Sequence, residues 1–283
     1  MMSLQQLKDR INHKAKQNSL NAQILLRNYM MERLLERISL SDFKNHFILK
    51  GGMLVAALVG VELRSTIDMD ATIKAYPVTA EALENAFNSI IQVKVDDGVK
   101  MKIKKISEIR LENEYNGYRI SMDAMMDDAR IPMKIDVTTG DKITPGERVY
   151  QYDLMLENRS IEILAYNVET VVAEKLETII VKSTANTRMR DFYDVYVLHK
   201  LQGEKINAGV LKNALKETSQ KRSSGKEISS GDTIIEEIFN DDVLKEYWEQ
   251  YRNEYKYAEE ITWDDVRQAV KTLWSSATDK GGQ

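Results

Sequence analysis

Asp68 and Asp70 lie one residue apart on a predicted strand at 66–73. Residues i and i+2 of a strand project from the same face, so we expect both carboxylates to point into one cleft while Ile67 and Met69 face the core. Two carboxylates held this close repel each other unless a hard divalent cation such as Mg²⁺ lies between them. The pair therefore indicates a metal site.

A second predicted strand, 132–137, carries a third carboxylate, Asp136, among apolar neighbours. Three carboxylates on neighbouring strands can hold two metal ions, which activate an attacking hydroxyl and neutralise phosphate oxygens in an in-line displacement. The competing interpretation is a set of solvated or salt-bridged strand residues, which is common for one aspartate and less common for three. The set predicts metal-dependent nucleotidyl transfer.

Gly51 and Gly52 precede a predicted apolar helix at 53–61. Glycine lets the backbone approach a ligand closely, and the free N–H groups of a helix N-terminus suit the phosphates of a nucleoside triphosphate. Taken alone, a tight strand-to-helix turn is the commoner explanation of such a pair. Thr66 shares the strand parity of Asp68, so we expect its hydroxyl in the same cleft, either on a phosphate or in solvent.

Three groups of charged residues lie outside these strands and the Gly-Gly turn. Lys175, on a predicted helix, can neutralise triphosphate charge, and Asp191 begins the next helix, although such charges are equally common in ordinary helices. A basic strand face can meet RNA phosphates, but a lysine-protected sheet edge is the commoner explanation. A further cluster of basic residues, near the mouth of the predicted cleft, is better placed to bind the end of a nucleic acid. The basic strand contains Lys100, Lys102 and Lys104, and the further cluster contains Lys182, Arg188 and Arg190.

The composition excludes several classes of protein. No apolar run approaches the ~20 residues that cross a bilayer, and the N-terminus carries no export signal, so we expect a cytoplasmic protein without membrane contact. The absence of cysteine excludes disulfides and thiolate zinc sites. A net charge of −4 argues against a surface coated for nonspecific nucleic-acid binding, so any such contact must be local.

The apolar pattern divides the 283 residues in two. Residues 3–40 predict two helices, residues 47–162 predict strands with intervening helices, and helical patterns dominate after 167. We therefore predict an α+β fold with domains at 1–165 and 166–283. The predicted strands are 47–49, 66–73, 99–112, 118–125, 132–137 and 149–156. A helix is predicted at 79–91 with Thr79 as its N-cap, and a mobile Ser/Gly-rich loop is predicted at 219–232. The later predicted helices are 168–183, 188–201, 207–219, 232–256 and 262–276.

Four stretches together resemble, in order, the AbiEii/AbiGii family of bacterial abortive-infection toxins, nucleotidyltransferases of the DNA polymerase β superfamily. They are KGG at 50–52, RSTIDMD at 64–70, IDV at 135–137 and EKLETIIVKSTANTRMRDFYDVYVL at 174–198. The similarity spans about 45–200. The resemblance implies a nucleotidyltransferase-like mixed sheet with flanking helices, and a C-terminal helical domain that contributes to the nucleotide site.

The resemblance also assigns roles to individual residues. Asp68 and Asp70 are expected metal ligands, with Asp136 as the third carboxylate, and Lys175 and Asp191 are implicated in nucleotide binding and activity. Four further positions are expected at the nucleotide: Gly51, Gly52, Arg64 and Thr66. Thr66 stands where the family frequently has serine, which leaves open any role specific to a serine hydroxyl.

The family implies a toxin encoded beside an antitoxin, often a winged-helix transcriptional repressor, that halts host growth on phage infection. Some members bind GTP, and some related toxins add nucleotides to the 3′ end of tRNA. Our leading hypothesis is a Mg²⁺-dependent enzyme that transfers NMP from an NTP, such as GTP, to an RNA such as the tRNA 3′ end. The alternatives are nucleotidylation of a small molecule, a noncatalytic nucleotide-binding module and a metal-dependent nuclease.

Overall fold

A computed structural model of the protein describes residues 2–64, 66–110 and 116–278. The chain forms two compact units. The first, here called the sheet unit, contains Met1–Asp141 and Glu147–Tyr166, and the second, the helical unit, contains Lys142–Gly146 and Asn167–Gln283. The short segment 142–146 therefore belongs to the helical unit although it lies between strands of the sheet unit.

The sheet unit is a mixed seven-stranded sheet with helices, as predicted for an α+β fold. The strand order is β3-β4-β5-β2-β1-β7-β6, with parallel pairing of β2 to β5 and of β1 to β7. Its elements are α1 (Leu4–Asn18), α2 (Ala22–Leu40), β1 (Phe47–Lys50), α3 (Gly51–Val59), β2 (Met69–Ile73), α4 (Ala80–Ile91), β3 (Lys100–Arg110), β4 (Asn116–Met126), β5 (Ala129–Thr139), β6 (Arg148–Asp153) and β7 (Ser160–Ala165).

Local sequence signals account for the helix boundaries in this unit. Thr79 caps α4 by accepting a hydrogen bond from the Ala82 N–H, as its type and position predicted. Ser3 and Gln6 form a reciprocal capping box at the start of α1. The apolar residues of α1 recur every three or four positions and are buried.

The strands differ from the sequence-based prediction chiefly at β2 and β7. β2 begins at Met69, so Asp68 and Thr66 precede the strand, and Ile67 is 37% exposed rather than facing the core. Strand β7 was not predicted at all. The predicted end of β3 at Glu112 lies outside the described residues.

The helical unit consists of seven α-helices within the part of the chain that the structure describes. They are α5 (Val168–Lys182), α6 (Met189–Gln202), α7 (Ala208–Lys221), α8 (Gly225–Ser229), α9 (Gly231–Phe239), α10 (Asp242–Glu254) and α11 (Trp263–Thr278). An aromatic cluster lies in its core, where the ring centre of Trp263 is 4.6 Å from that of Phe239 and 5.9 Å from that of Trp248. No helix among the described residues of either unit is both long and apolar enough to cross a bilayer.

Two predictions for the helical unit are wrong. The polar stretch 219–232 is not a single loop: α7 continues to Lys221, α8 and the start of α9 follow, and only residues 222–224 and Ser230 lie between helices. Ser219 and Ser224 are buried there, so tertiary packing overrides their turn-forming composition. The predicted helix 232–256 is two helices, because Asp241 caps α10 by accepting from the Leu244 N–H.

Candidate functional site

A row of four charged residues crosses the middle of the sheet. Asp70 on β2 is the register partner of Asp136 on the parallel strand β5, and Asp70 also pairs with Lys50 on β1. Asp136 in turn pairs with Arg119 on β4. Direct register partners project from the same face of a sheet, so two carboxylates lie side by side with a cation on each outer strand.

Arg119 binds Asp136 through a bidentate ion pair. Its Nε and Nη2 each donate to a different carboxylate oxygen of Asp136, at 2.7 Å. The hydrogen bonds to Asp136 raise the pKa of Arg119 against the effect of burial, and the negative charges of Asp136, Asp68 and Asp70 raise it further. All three predicted carboxylates therefore lie within electrostatic reach of one guanidinium.

The sequence analysis did not identify Arg119. A signal was nevertheless present: Arg119 and Asp136 are equally far from the centre of the tight turn between β4 and β5, at Asp127 and Asp128. Counting outward from this turn pairs the two residues directly, whereas the predicted strand bounds 118–125 and 132–137 centre the turn one residue later and would have paired Arg119 with position 138.

The acidic residues fit a hard divalent cation by their donor chemistry. All their donors are carboxylate oxygens, which Mg²⁺ prefers. Asp136 is 9% exposed, and each of its oxygens accepts one hydrogen bond from Arg119. An ionised carboxylate has about four lone-pair positions, so about half remain for a cation. Among the described residues, however, no three acidic or histidine side chains are gathered in a geometry that could hold a metal ion.

The Gly-Gly turn brings the start of α3 against this acidic row. Gly51 has a φ of +65°, and a Cβ there would lie 2.1 Å from Oδ2 of Asp70 and 2.8 Å from its Cβ. A Cβ at Gly52 would lie 2.8 Å from Oγ1 of Thr66 and 3.1 Å from Nη2 of Arg64. Side chains at either position would displace these groups, so the glycines are required by the close approach as well as by the turn.

Arg64 and Thr66 are buried beside the turn, at 2% and 5% exposure. The Thr66 hydroxyl donates to the backbone carbonyl of Asp68 at 3.1 Å. The prediction that Thr66 shares strand parity with Asp68 is therefore wrong, because both residues precede β2, and the hydroxyl orders the approach to that strand. The structure nevertheless gathers the predicted Gly51, Gly52, Arg64, Thr66 and Asp70 around one helix N-terminus.

Asp141, which the sequence analysis also missed, binds Lys50 at the other end of the charged row. Its Oδ2 accepts from Lys50 Nζ at 2.5 Å, from the Thr138 hydroxyl at 2.8 Å and from the Tyr166 hydroxyl at 2.9 Å. Burial would raise the pKa of Asp141, but Lys50 and the two hydroxyls outweigh it and hold the pKa well below its usual range. Asp141 therefore stays ionised and fixes the lysine ammonium.

The two candidates of the helical unit are also brought together. Lys175 on α5 forms ion pairs with Asp191 at 2.5 Å and with Asp194 at 3.0 Å, both on α6. The Asp194 side chain is fully buried, and that of Lys175 is 19% exposed. In the predicted basic cluster, Arg190 lies over the Tyr255 ring, 5.8 Å from its centre. Lys175 thus forms a structural ion pair, which the sequence analysis had left open as the alternative to nucleotide binding.

Comparisons with known proteins bear on the family and on the fold. A family model described as the nucleotidyl transferase AbiEii toxin of a type IV toxin–antitoxin system matches residues 33–272. A protein from H. pylori described as a nucleotidyltransferase superposes with a TM-score of 0.51 at 14% identity, covering 93% of this chain and 100% of its own. JHP933 from Helicobacter pylori superposes at 0.50 and 15% identity, covering 92% and 94%. At these identities the two structures show a shared fold. A comparison with curated proteins found no match.

Proposed function

Because the chain belongs to the AbiEii family of nucleotidyltransferase toxins of type IV toxin–antitoxin systems, we propose that it transfers NMP from an NTP to an RNA at Asp68, Asp70 and Asp136. The observation that carries this proposal is the side-by-side register of Asp70 and Asp136 on parallel strands, with the Gly-Gly turn packed against Asp70. In the reaction, an acceptor hydroxyl attacks the α-phosphorus, and pyrophosphate leaves.

Asp70 and Asp136, side by side in register, and Asp68 ahead of β2 would hold Mg²⁺, which when bound would supply positive charge for the phosphate oxygens and the attacking hydroxyl. The chain's own residues have separable tasks. We assign the triphosphate oxygens to the N–H groups at the start of α3 and to Arg64, with Thr66 ordering the approach to β2 through its bond to the Asp68 carbonyl. Arg119 compensates the charge of the Asp136 carboxylate through its bidentate pair.

We assign Lys175 to the nucleotide by the family resemblance, with Asp191 as the residue that positions it. The pairing supports this assignment, because two carboxylates hold the ammonium in one place. The partners follow from the family as well: an antitoxin is part of a type IV system. We further propose that this antitoxin is a winged-helix repressor, that the nucleotide is GTP and that the acceptor is the tRNA 3′ end.

The test incubates purified protein with Mg²⁺, total bacterial RNA and each α-labelled NTP in turn. Wild type is compared with Asp70→Asn, which keeps the side chain's shape, and with Asp128→Asn, which removes an exposed charge in the turn between β4 and β5. We expect wild type and Asp128→Asn to label a discrete RNA, and Asp70→Asn to lose at least 100-fold in rate, the order of a lost charge-stabilising group. Equal labelling by Asp70→Asn would refute the assignment of Asp70. Label that enters only small molecules would replace RNA with a small-molecule acceptor.

A further inference from the structure

The strands that carry Asp136 and Arg119 continue away from the charged row as a broad basic surface. In β4 and β5, alternate residues are buried under the helices, and the intervening residues face the other way. The pairing of β3, β4 and β5 aligns these outward residues into four rows. The rows are Ser107, Arg119 and Asp136; Lys105, Ser121 and Lys134; Lys102, Asp123 and Pro132; and Lys100, Met125 and Arg130.

The surface is strongly positive although the whole chain has a net charge of −4. Lys104 belongs to it as well, since it occupies a bulge in β3 and its Nζ lies 3.8 Å from Asp123. The rows and this bulge contain seven cationic and two acidic side chains, an excess of five. We call the cationic set the basic sheet face: Lys100, Lys102, Lys104, Lys105, Arg119, Arg130 and Lys134.

Most of this charge is not used inside the unit. Asp123 is buried and pairs with Arg130 at 2.6 Å, and Asp136 pairs with Arg119. Within the described part of the chain, no ion pair is formed by four exposed lysines, Lys100, Lys102, Lys105 and Lys134. Unpaired like charges on adjacent strands repel one another weakly in water, and a polyanion lying across them would relieve that repulsion.

Protection of a sheet edge explains part of the pattern but not all of it. Lysines on β3, the edge strand, would deter pairing with another chain. Lys134 and Arg130, however, lie on β5, which has β4 on one side and β2 on the other. Their side chains project from the face of the sheet, where they have no effect on edge pairing. The cationic side chains are therefore spread over the face of the sheet and are not confined to its edge strand.

We infer that the basic sheet face binds the phosphate backbone of the acceptor RNA and leads its end to the carboxylate row, an inference that rests on the proposed function. Adjacent rows lie two residues apart along β4 and β5, so four rows cover about 20 Å at about 3.3 Å per residue. That length accommodates several nucleotides. The first row contains Asp136 itself, so the surface is continuous with the proposed site of transfer.

The test measures binding of fluorescently labelled, unfractionated bacterial tRNA to the full chain by anisotropy, without NTP or Mg²⁺. The variant Lys100→Gln/Lys102→Gln/Lys134→Gln removes three exposed charges of the face. The matched control, Lys8→Gln/Lys16→Gln/Lys44→Gln, removes three exposed charges of the same unit that lie outside the sheet. Because all six side chains are exposed, both variants should unfold at the wild-type temperature.

Each phosphate contact on a flexible strand contributes about 0.7 to the slope of log affinity against log salt. Removing three contacts should therefore reduce the slope by about 2, and weaken binding roughly 100-fold near 0.1 M salt. The control should bind like wild type. In the transfer assay with labelled NTP, the face variant should raise KM for RNA with kcat unchanged.

Three outcomes would overturn the inference: equal loss of binding in the control, wild-type binding by the face variant, or no salt-dependent binding by wild type. Transfer to RNA that continues at the wild-type KM in the face variant would likewise overturn it while the proposed function stands. Conversely, salt-dependent binding that only the face variant loses, without any transfer to RNA, would support the surface and refute the proposed function.

Discussion

Gly51→Ala offers a sharp test of how the Gly-Gly turn and Asp70 depend on each other. The residue has a φ of +65°, where an L side chain costs about 1–2 kcal/mol. Its new Cβ would also lie 2.1 Å from Oδ2 and 2.8 Å from Cβ of Asp70. Since the clash includes Cβ, rotation of the carboxylate alone does not relieve it, and the aspartate must move as a whole. The substitution therefore displaces a proposed metal ligand.

The expected effects on stability and activity differ in size. The backbone cost should lower the free energy of unfolding by about 2 kcal/mol, which corresponds to several degrees in Tm. A displacement of about 1 Å at a reacting centre costs on the order of 100-fold in rate. We therefore expect Gly51→Ala to remain folded, and to lose transfer activity far beyond what its stability change explains.

Gly60→Ala is the matched control at the other end of α3. Gly60 also has a positive φ, of +102°, so alanine has a backbone cost there too. Its Cβ would meet Oε1 of Glu62 at 2.5 Å, and that exposed side chain can turn away. Urea unfolding and α-label transfer are measured for both variants. Similar activity in Gly51→Ala and Gly60→Ala, at similar stability, would refute the coupling of the turn to Asp70.

Three further predictions concern charged groups. Lys175→Met leaves two buried carboxylates without their cation, so urea unfolding should show a loss of about 3–5 kcal/mol; a loss under 1 kcal/mol would contradict the buried triad. Burial raises the pKa of Glu32 to about 8, so wild-type stability should fall as pH rises from about 4.5 through about 8. Glu32→Gln lacks this group, so its free energy of unfolding relative to wild type should rise by on the order of 3 kcal/mol between pH 5 and pH 8, as measured by urea unfolding. A difference between the two proteins that does not change with pH would contradict the buried acid. Arg119→Gln removes the cation beside the carboxylates, so calorimetry should show tighter Mn²⁺ binding than in wild type; weaker binding would mean that Arg119 is needed to organise the site.

Local patterns predicted much of the fold because their physical causes are local. The cap at Thr79 and the turn at Gly51 depend on residues close in sequence, and the structure has both. The strand around Asp136 was also recognisable, since alternate burial appears directly as alternate polarity. Such signals place elements well, and they identified the AbiEii family through four short stretches.

The errors arose where distant parts of the chain decide the local structure. The stretch 219–232 has a loop-like composition, yet Ser219 and Ser224 are buried by packing within the helical unit. The ion pair between Lys50 and Asp141 joins residues 91 positions apart, which no local pattern reveals. Arg119 became visible only once the register of its hairpin was known.

The central claim is that Asp68, Asp70 and Asp136 hold a divalent cation at the start of α3. Crystals of the protein soaked with Mn²⁺ and a nonhydrolysable NTP would test it by anomalous scattering at the manganese edge. We predict a peak within about 2.0–2.3 Å of carboxylate oxygens of Asp70 and at least one of the other two aspartates. The claim would be contradicted if the NTP were bound but its manganese lay on other residues, with the carboxylate row still bound only to Arg119.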